Sequence, residues 1–189
     1  MEHRAVGNRC AVNLEELGLP FSQIVALDIL TDLGFKILEI DLVALARERI
    51  GISTYQRGIA AHEAPQIVDC SSFIKWLYAE RGIWLPRRSI QQRELGEIVN
   101  LDQILPGDVI FTSGAQNYFH NDPADGVGHV GLATGQDTVI HAASRELGVV
   151  ESELGSFVGN SFRGARRYIS KDLKVLTLES PPQQNCGNS

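Results

Sequence analysis

The chain has 189 residues, of which 43% are hydrophobic and 21% charged, so it carries enough apolar material for a packed core and too much for wholesale disorder. Lys and Arg number 17 against 23 Asp and Glu, a net charge of −6 that excludes a general binder of nucleic-acid phosphates, which needs a basic face. At roughly 150 residues per domain, the length fits one domain with an appendage.

Residues 1 to about 19 have no sustained period, broken by Gly7, Asn8, Asn13 and Gly18. Phe21 to Gly34 reads as a helix capped by Ser22, with Ile24, Leu27, Leu30 and Leu33 along one face; a strand over Ile24 to Leu30 is the rival reading. Asp41 caps a second helix with an apolar stripe of Leu42, Leu45 and Ala46, ending near Arg47, Arg49 and Gly51. Residues 51 to 68 read as a loop. Asp69 then caps a third helix, whose Phe73, Ile74, Leu77 and Arg81 recur at helical spacing before Gly82 closes it. A short helix is expected within 84–98. After Pro106-Gly107 the period turns extended, with strands at Val109–Thr112, His129–Thr134, Thr138–Ala142 and Arg163–Ile169. The polar segment 113–128 reads as an exposed loop, and 181–189 as an irregular tail. Helices first and a meander of strands afterwards predict an α+β domain, its helices packed on a small antiparallel sheet.

No apolar stretch reaches the roughly 18 residues of a membrane span, and Met1-Glu2-His3-Arg4 does not open a secretory signal, which favours a cytoplasmic location, the alternative being export to the cell wall by an unrecognised route. Cys10, Cys70 and Cys186 are too few and too odd in number for a disulfide framework. Cys70 stands at the first turn of the third helix, where the helix dipole and free N–H groups favour a thiolate nucleophile. A buried, inert thiol is the competing reading, and Asp69 next door opposes ionisation.

A nucleophilic Cys needs a base held by a third polar group. If residues 135–137 form the hairpin loop, His129 lies diagonal to His141 on one face of the sheet, about 7–8 Å apart and within side-chain reach. A two-residue loop would place them on opposite faces. Two unlinked structural histidines remain the alternative. Zinc is a third reading, but there is no Cys-x-x-Cys or His-x-x-x-His, and a fourth ligand would have to come from Asp108 or His120. His62 and His120 read as solvated loop residues. Gly126, Gly128 and Gly131 do not form a phosphate-cradling motif.

Four blocks together resemble the NlpC/P60 cysteine peptidases, a branch of the papain-like enzymes. They are Asp69-Cys70-Ser71-Ser72-Phe73, Leu85-Pro86-Arg87-Arg88-Ser89, Leu105-Pro106-Gly107-Asp108-Val109, and the pair Gly128-His129-Val130-Gly131 with Val139-Ile140-His141-Ala142. The resemblance covers roughly residues 39 to 169. It implies a papain-like NlpC/P60 fold with the nucleophile at a helix N-terminus: Cys70 attacks, His129 takes its proton and His141 orients that imidazole. It also implies that Tyr55 lines the pocket and that Asp69, Ser71 and Ser89 meet a peptide stem near its free amino end, Asp69 pairing with the ammonium group. The chain departs from the family pattern at Tyr55-Gln56-Arg57-Gly58-Ile59, where Trp-Gly-Gly usually follows the tyrosine, and at Ser72, which replaces a glycine. The 113–128 loop is also longer, and is read as a cover for the cleft.

These readings divide the chain into an N-terminal extension or auxiliary subdomain (1–38), a catalytic domain (39–170) and a C-terminal tail, partly disordered (171–189). The implied activity is hydrolysis of peptidoglycan stem peptides at the γ-D-glutamyl bond to a diamino acid such as diaminopimelate. No metal or cofactor is required, and the expected partner is a muropeptide. The alternatives are an amidase or acyltransferase using the same triad, and a catalytically silent muropeptide-binding module.

Overall fold

Three helices begin where a side-chain oxygen can accept the free N–H groups of a first turn. Ser22 accepts from Val25 N at 3.4 Å, Asp41 from Val43 N and Ala44 N at 2.9 and 3.1 Å, and Asp69 from Ser72 N at 2.8 Å. All three caps are those the sequence predicts. The computed structural model describes residues 6–114, 126–170 and 174–182. Most of the 113–128 loop, His120, Cys186 and residues 183–189 lie outside the described residues.

In chain order the elements are β1 (Arg9–Val12), α1 (Gln23–Asp32), β2 (Lys36–Leu38), α2 (Leu42–Arg47), β3 (Thr54–Tyr55), β4 (Ile67–Val68), α3 (Cys70–Glu80), α4 (Ser89–Arg93) and β5 (Glu97–Val99), followed by β6 (Val109–Ser113), β7 (Val127–Ala133), β8 (Thr138–Ser144), β9 (Gly148–Glu153), α5 (Leu154–Val158), β10 (Phe162–Arg167) and β11 (Leu176–Glu179). The chain divides into two compact units, one drawn from residues 1–40, 79–84 and 171–189, the other from 41–78 and 85–170. No helix among the described residues is long and apolar enough to cross a membrane.

In the first unit β11 lies between β1 and β2, antiparallel to both. The segment read from sequence as a tail thus contributes the central strand of a three-stranded sheet. Arg9 ties the unit together by pairing with Glu179 at 3.1 Å and with Glu80, while Arg81 donates to Thr177 Oγ1 and the Val175 carbonyl. The α1 segment is a helix rather than a strand, but its predicted apolar stripe is not buried: Ile24 is 72% exposed and Leu33 63%.

The second unit is built on a six-stranded, wholly antiparallel sheet, order β5-β10-β6-β7-β8-β9. Alternation along each strand sends residues to opposite faces. Val99, Ile110, Ala133, Val139, Val158 and Ala165 form one cluster, against which Leu154, Phe157 and Phe162 pack. Val109, Phe111, Val130, Leu132 and Ile140 alternate with them and are fully buried as well. Strands buried on both faces read as unbroken apolar runs, which is why β6 was visible in the sequence.

Helix α3 buries Phe73, Ile74, Leu77 and Tyr78, each worth about 1.5–3 kcal/mol by area. Tyr78 donates its hydroxyl to the Gly107 carbonyl just before β6, and its ring meets Tyr168 edge-on at 5.0 Å. The stretch 51–68, expected to be a loop, contains the parallel pair β3–β4 and a one-turn 3₁₀ helix at Ala61–Glu63. Two-residue strands are too short for alternation to reveal them.

Candidate active site

The β7–β8 hairpin decides whether the two histidines can meet. Its loop has three residues, Gly135-Gln136-Asp137, with Gly135 and Asp137 at φ +77° and +55°, and Thr134 N donates to Thr138 O at 3.1 Å. Leu132 pairs with Ile140 and Ala133 with Val139, the register expected for that loop. His129 and His141 therefore share a face, and His129 Nε2 lies 2.9 Å from His141 Nδ1.

Gly131 makes this approach possible. A Cβ there would come within 2.4 Å of Val139 Cγ1, 3.0 Å of Phe157 Cζ and 3.2 Å of His141 Cβ. Without one, the Phe157 ring packs against both imidazoles, at 5.5 Å from His129 and 4.8 Å from His141. His141 Nε2 in turn meets Ser152 Oγ on β9 at 3.0 Å.

Cys70 opens α3 on the other wall of a cavity of about 970 Å³ that His129 and His141 also line. The backbone N–H groups of Ser71 and of Val130, the residue after His129, act on its thiol, each lowering its pKa in part. The same cavity is lined by Tyr55, Asp69, Ser71 and Ser89, so every site residue named from the sequence borders one space. Among the described residues no group of three or more His, Cys, Asp or Glu side chains is placed to hold a metal ion. Asp108 is occupied by Arg167 and the Leu105 N–H.

The helix start does not lower the Cys70 pKa, as local reasoning expected. Burial pushes the thiol up to about 12, the Asp69 charge adds to this, and the N–H bonds from Ser71 and Val130 offset only part. Burial also lowers His129 to about 4, and His141 to about 4 with a further contribution from His129. Burial thus favours the neutral form of the thiol and of both imidazoles.

Asp69 is more heavily engaged than a simple cap. Its Oδ1 accepts from Ser72 N, Arg87 Nη1 and Ser71 Oγ at 2.8, 2.9 and 3.2 Å, and its Oδ2 from Arg87 Nη2 and Gly58 N at 2.6 and 3.0 Å. Ser72 Oγ returns the favour by accepting from Asp69 N at 2.8 Å, a serine in the reciprocal role usually given to Glu or Gln. Burial alone would raise the Asp69 carboxyl, but the Arg87, Ser72 and Gly58 donors outweigh it and hold the group below its ordinary value.

Sequence reasoning quoted Arg87 within a block without assigning it a partner, and it missed Ser152 and Phe157. The alternation Val150-Glu151-Ser152 in β9 and the position of Arg87 two residues before Ser89 were the available signals.

The NlpC/P60 family profile matches residues 55–167, a span that holds all of these groups. Among curated proteins, the chain is 28% identical over 144 residues to "Gamma-DL-glutamyl hydrolase" of Bacillus subtilis, covering 76% of this chain and 32% of that one. It is 30% identical over 103 residues to "Gamma-D-glutamyl-L-lysine dipeptidyl-peptidase" of Bacillus cereus, covering 53% and 29%. The chain thus spans about a third of the length of these relatives. Among solved structures, NlpC2 from Trichomonas vaginalis matches with a TM-score of 0.57 at 25% identity, over 69% of this chain and 46% of that one. The matched span, the antiparallel sheet and the helix-start cysteine agree: the chain belongs to the NlpC/P60 family.

Proposed function

We propose that this protein is a cysteine-type endopeptidase that hydrolyses a γ-glutamyl amide, the bond between γ-D-glutamate and a diamino acid in peptidoglycan stem peptides. The unit drawn from residues 41–78 and 85–170 is its catalytic part, and the unit that contains residues 1–40 an auxiliary element. Both curated relatives carry γ-glutamyl hydrolysis in their names, which supports the bond class. The observation that carries the reading is the 2.9 Å imidazole pair on β7 and β8 in one cavity with the helix-start thiol.

In this mechanism Cys70 Sγ attacks the amide carbonyl carbon as its proton passes to His129, forming the S–C bond. The oxyanion is held in part by the Cys70 backbone N–H. The C–N bond then breaks, and His129 returns the proton to the leaving amine. Water, deprotonated by His129, hydrolyses the thioester and releases the thiol. Because Cys70 is protonated at rest, His129 acts as a general base during attack rather than as the partner of a standing thiolate.

Proton placement follows from the distances. For His129 Nδ1 to accept the thiol proton, its Nε2 carries the hydrogen and donates to His141 Nδ1. His141 must then carry its hydrogen on Nε2, where Ser152 Oγ accepts it. Ser152 is thereby a positioning residue. Ser152→Ala is expected to lower kcat about three- to tenfold with little change in KM, and to shift the acidic limb of the pH profile; an unaltered profile and rate would remove the role.

The pH dependence has a definite sign. A histidine base lowered to about 4 stays neutral and basic through pH 6.5, its ordinary pKa. The value of kcat/KM is therefore expected to hold as pH falls through 6.5 and to drop only on approach to pH 4. An acidic limb centred near 6.5 would contradict the burial argument. The reaction itself is tested by incubating the protein with L-Ala-γ-D-Glu-diaminopimelate and weighing the products by mass spectrometry. Release of the diamino acid supports the reading, and an intact stem overturns it.

A further inference from the structure

We propose that Arg88, on the wall of the same cavity, reads a free carboxylate on the substrate. The site would then take γ-linked glutamyl amides with an ionised α-carboxylate in preference to their α-carboxamides. The inference rests on the amide-hydrolysing reading of this cavity and names its substrate class more narrowly.

The chain as a whole carries a net charge of −6, yet the cavity runs the other way. Its described lining residues include Arg57, Arg87 and Arg88 and one carboxylate, Asp69. Asp69 and Arg87 neutralise each other through a two-point pair at 2.9 and 2.6 Å, and Asp69 accepts three further bonds from Ser71, Ser72 and Gly58. Both carboxylate oxygens are thus occupied from within the fold. An incoming ammonium would share Asp69 with a guanidinium already seated on it, and like charges at one carboxylate disfavour each other. What the described wall offers to a ligand is positive charge.

Arg88 is the part of that charge most open to a ligand. Its side chain is exposed, and it makes no hydrogen bond or ion pair among the described residues. Its backbone is nonetheless anchored, because its carbonyl accepts from Gln91 N and Gln92 N at 3.0 Å each at the start of α4. A guanidinium on a fixed backbone matches a carboxylate in two-point geometry, and Arg loses less freedom than Lys in making each such bond.

The chemistry of a γ-glutamyl amide supplies the partner. Its α-carboxylate is separated from the scissile carbonyl by three carbon atoms, and amidation removes that charge without changing the skeleton. A cation on the cavity wall therefore favours the free acid over the amide. A second source of the same chemistry is the C-terminal carboxylate of the peptide, and substrates can separate the two.

The test uses the full chain and three tripeptides: L-Ala-γ-D-Glu-L-Lys, the same peptide with the glutamyl α-carboxylate amidated, and the same peptide with only its C-terminus amidated. The wild type is expected to cleave the first about tenfold better than the second in kcat/KM, mostly through KM, with the preference narrowing as salt is raised. C-terminal amidation is expected to change little. Arg88→Ala is expected to bring the first substrate down to the level of the second, with the circular dichroism spectrum unchanged because the side chain is exposed. Equal cleavage of the first two by the wild type, or a preference that survives Arg88→Ala, overturns the proposal. A preference lost on C-terminal amidation overturns its assignment to the glutamyl residue. If the wild type cleaves none of the three, the hydrolytic reading of these substrates fails on its own. Calorimetric Kd values of the Cys70→Ala protein for the first two peptides then decide the carboxylate question, and equal values overturn it.

Discussion

Cys70→Ala is expected to reduce hydrolysis of a γ-glutamyl tripeptide by about a thousandfold or more, because no other group can form the acyl intermediate. The neighbouring site groups are already committed: His129 and His141 are bonded to each other, and Ser71 Oγ is engaged with Asp69 and Arg87. The fold should survive, since the substitution is small and the cap that starts α3 belongs to Asp69. The check is an initial-rate comparison by chromatography, beside matched circular dichroism spectra. A Cys70→Ala protein that kept a tenth of the rate would exclude the thioester route. Binding of the intact peptide with no turnover is the expected companion result.

The largest expected effect on stability lies away from the chemistry. Asp108 has 2% of its side chain exposed and Arg167 14%. The guanidinium gives two hydrogen bonds to the carboxylate, at 2.8 and 2.6 Å, and the Leu105 N–H adds a third at 2.8 Å. Arg167→Met would leave that buried carboxylate with one backbone donor, at a cost of about 3–5 kcal/mol. Removing both charges is milder, because the penalty belongs to the uncompensated ion more than to the lost attraction. The double variant Asp108→Asn, Arg167→Met should therefore recover a good part of the loss. Urea unfolding of the wild type, the single and the double variant measures this. A single variant within about 1 kcal/mol of wild type would show that water reaches Asp108 and solvates it. The pair joins the Pro-Gly-Asp turn before β6 to the end of β10, so its loss should also loosen the sheet on which His129 sits.

Features governed by near neighbours were open to reading. Ser22, Asp41 and Asp69 cap their helices because the accepting oxygen and the donor N–H are two or three residues apart. The three-residue turn between β7 and β8 placed His129 and His141 on one face by arithmetic on residue numbers, since strand alternation has a period of two. The α1 stripe shows the limit of that logic. Its helical spacing put Ile24, Leu27, Leu30 and Leu33 along one face, but periodicity only says which residues lie together, and Ile24 and Leu33 are largely exposed.

The sequence by itself therefore determined the class of the fold and the place of Cys70 at a helix start, both of which depend on short-range geometry and recognisable blocks, while the relation between the two histidines stayed open until the length of the hairpin loop was known. Tertiary structure decided what those groups experience. Val130 and Ser152 come to Cys70 and His141 from other strands, and Arg87 reaches Asp69 across 18 positions. Local reasoning gave the wrong sign for the Cys70 pKa, since the helix start and its N–H groups are overruled by burial and by the Asp69 charge. It also left the central strand of the first unit unread, because β11 pairs with β1 across most of the chain length and no local pattern records a partner that distant. Burial and long-range pairing are properties of the folded chain, and they raise the thiol and lower the two imidazoles of this site.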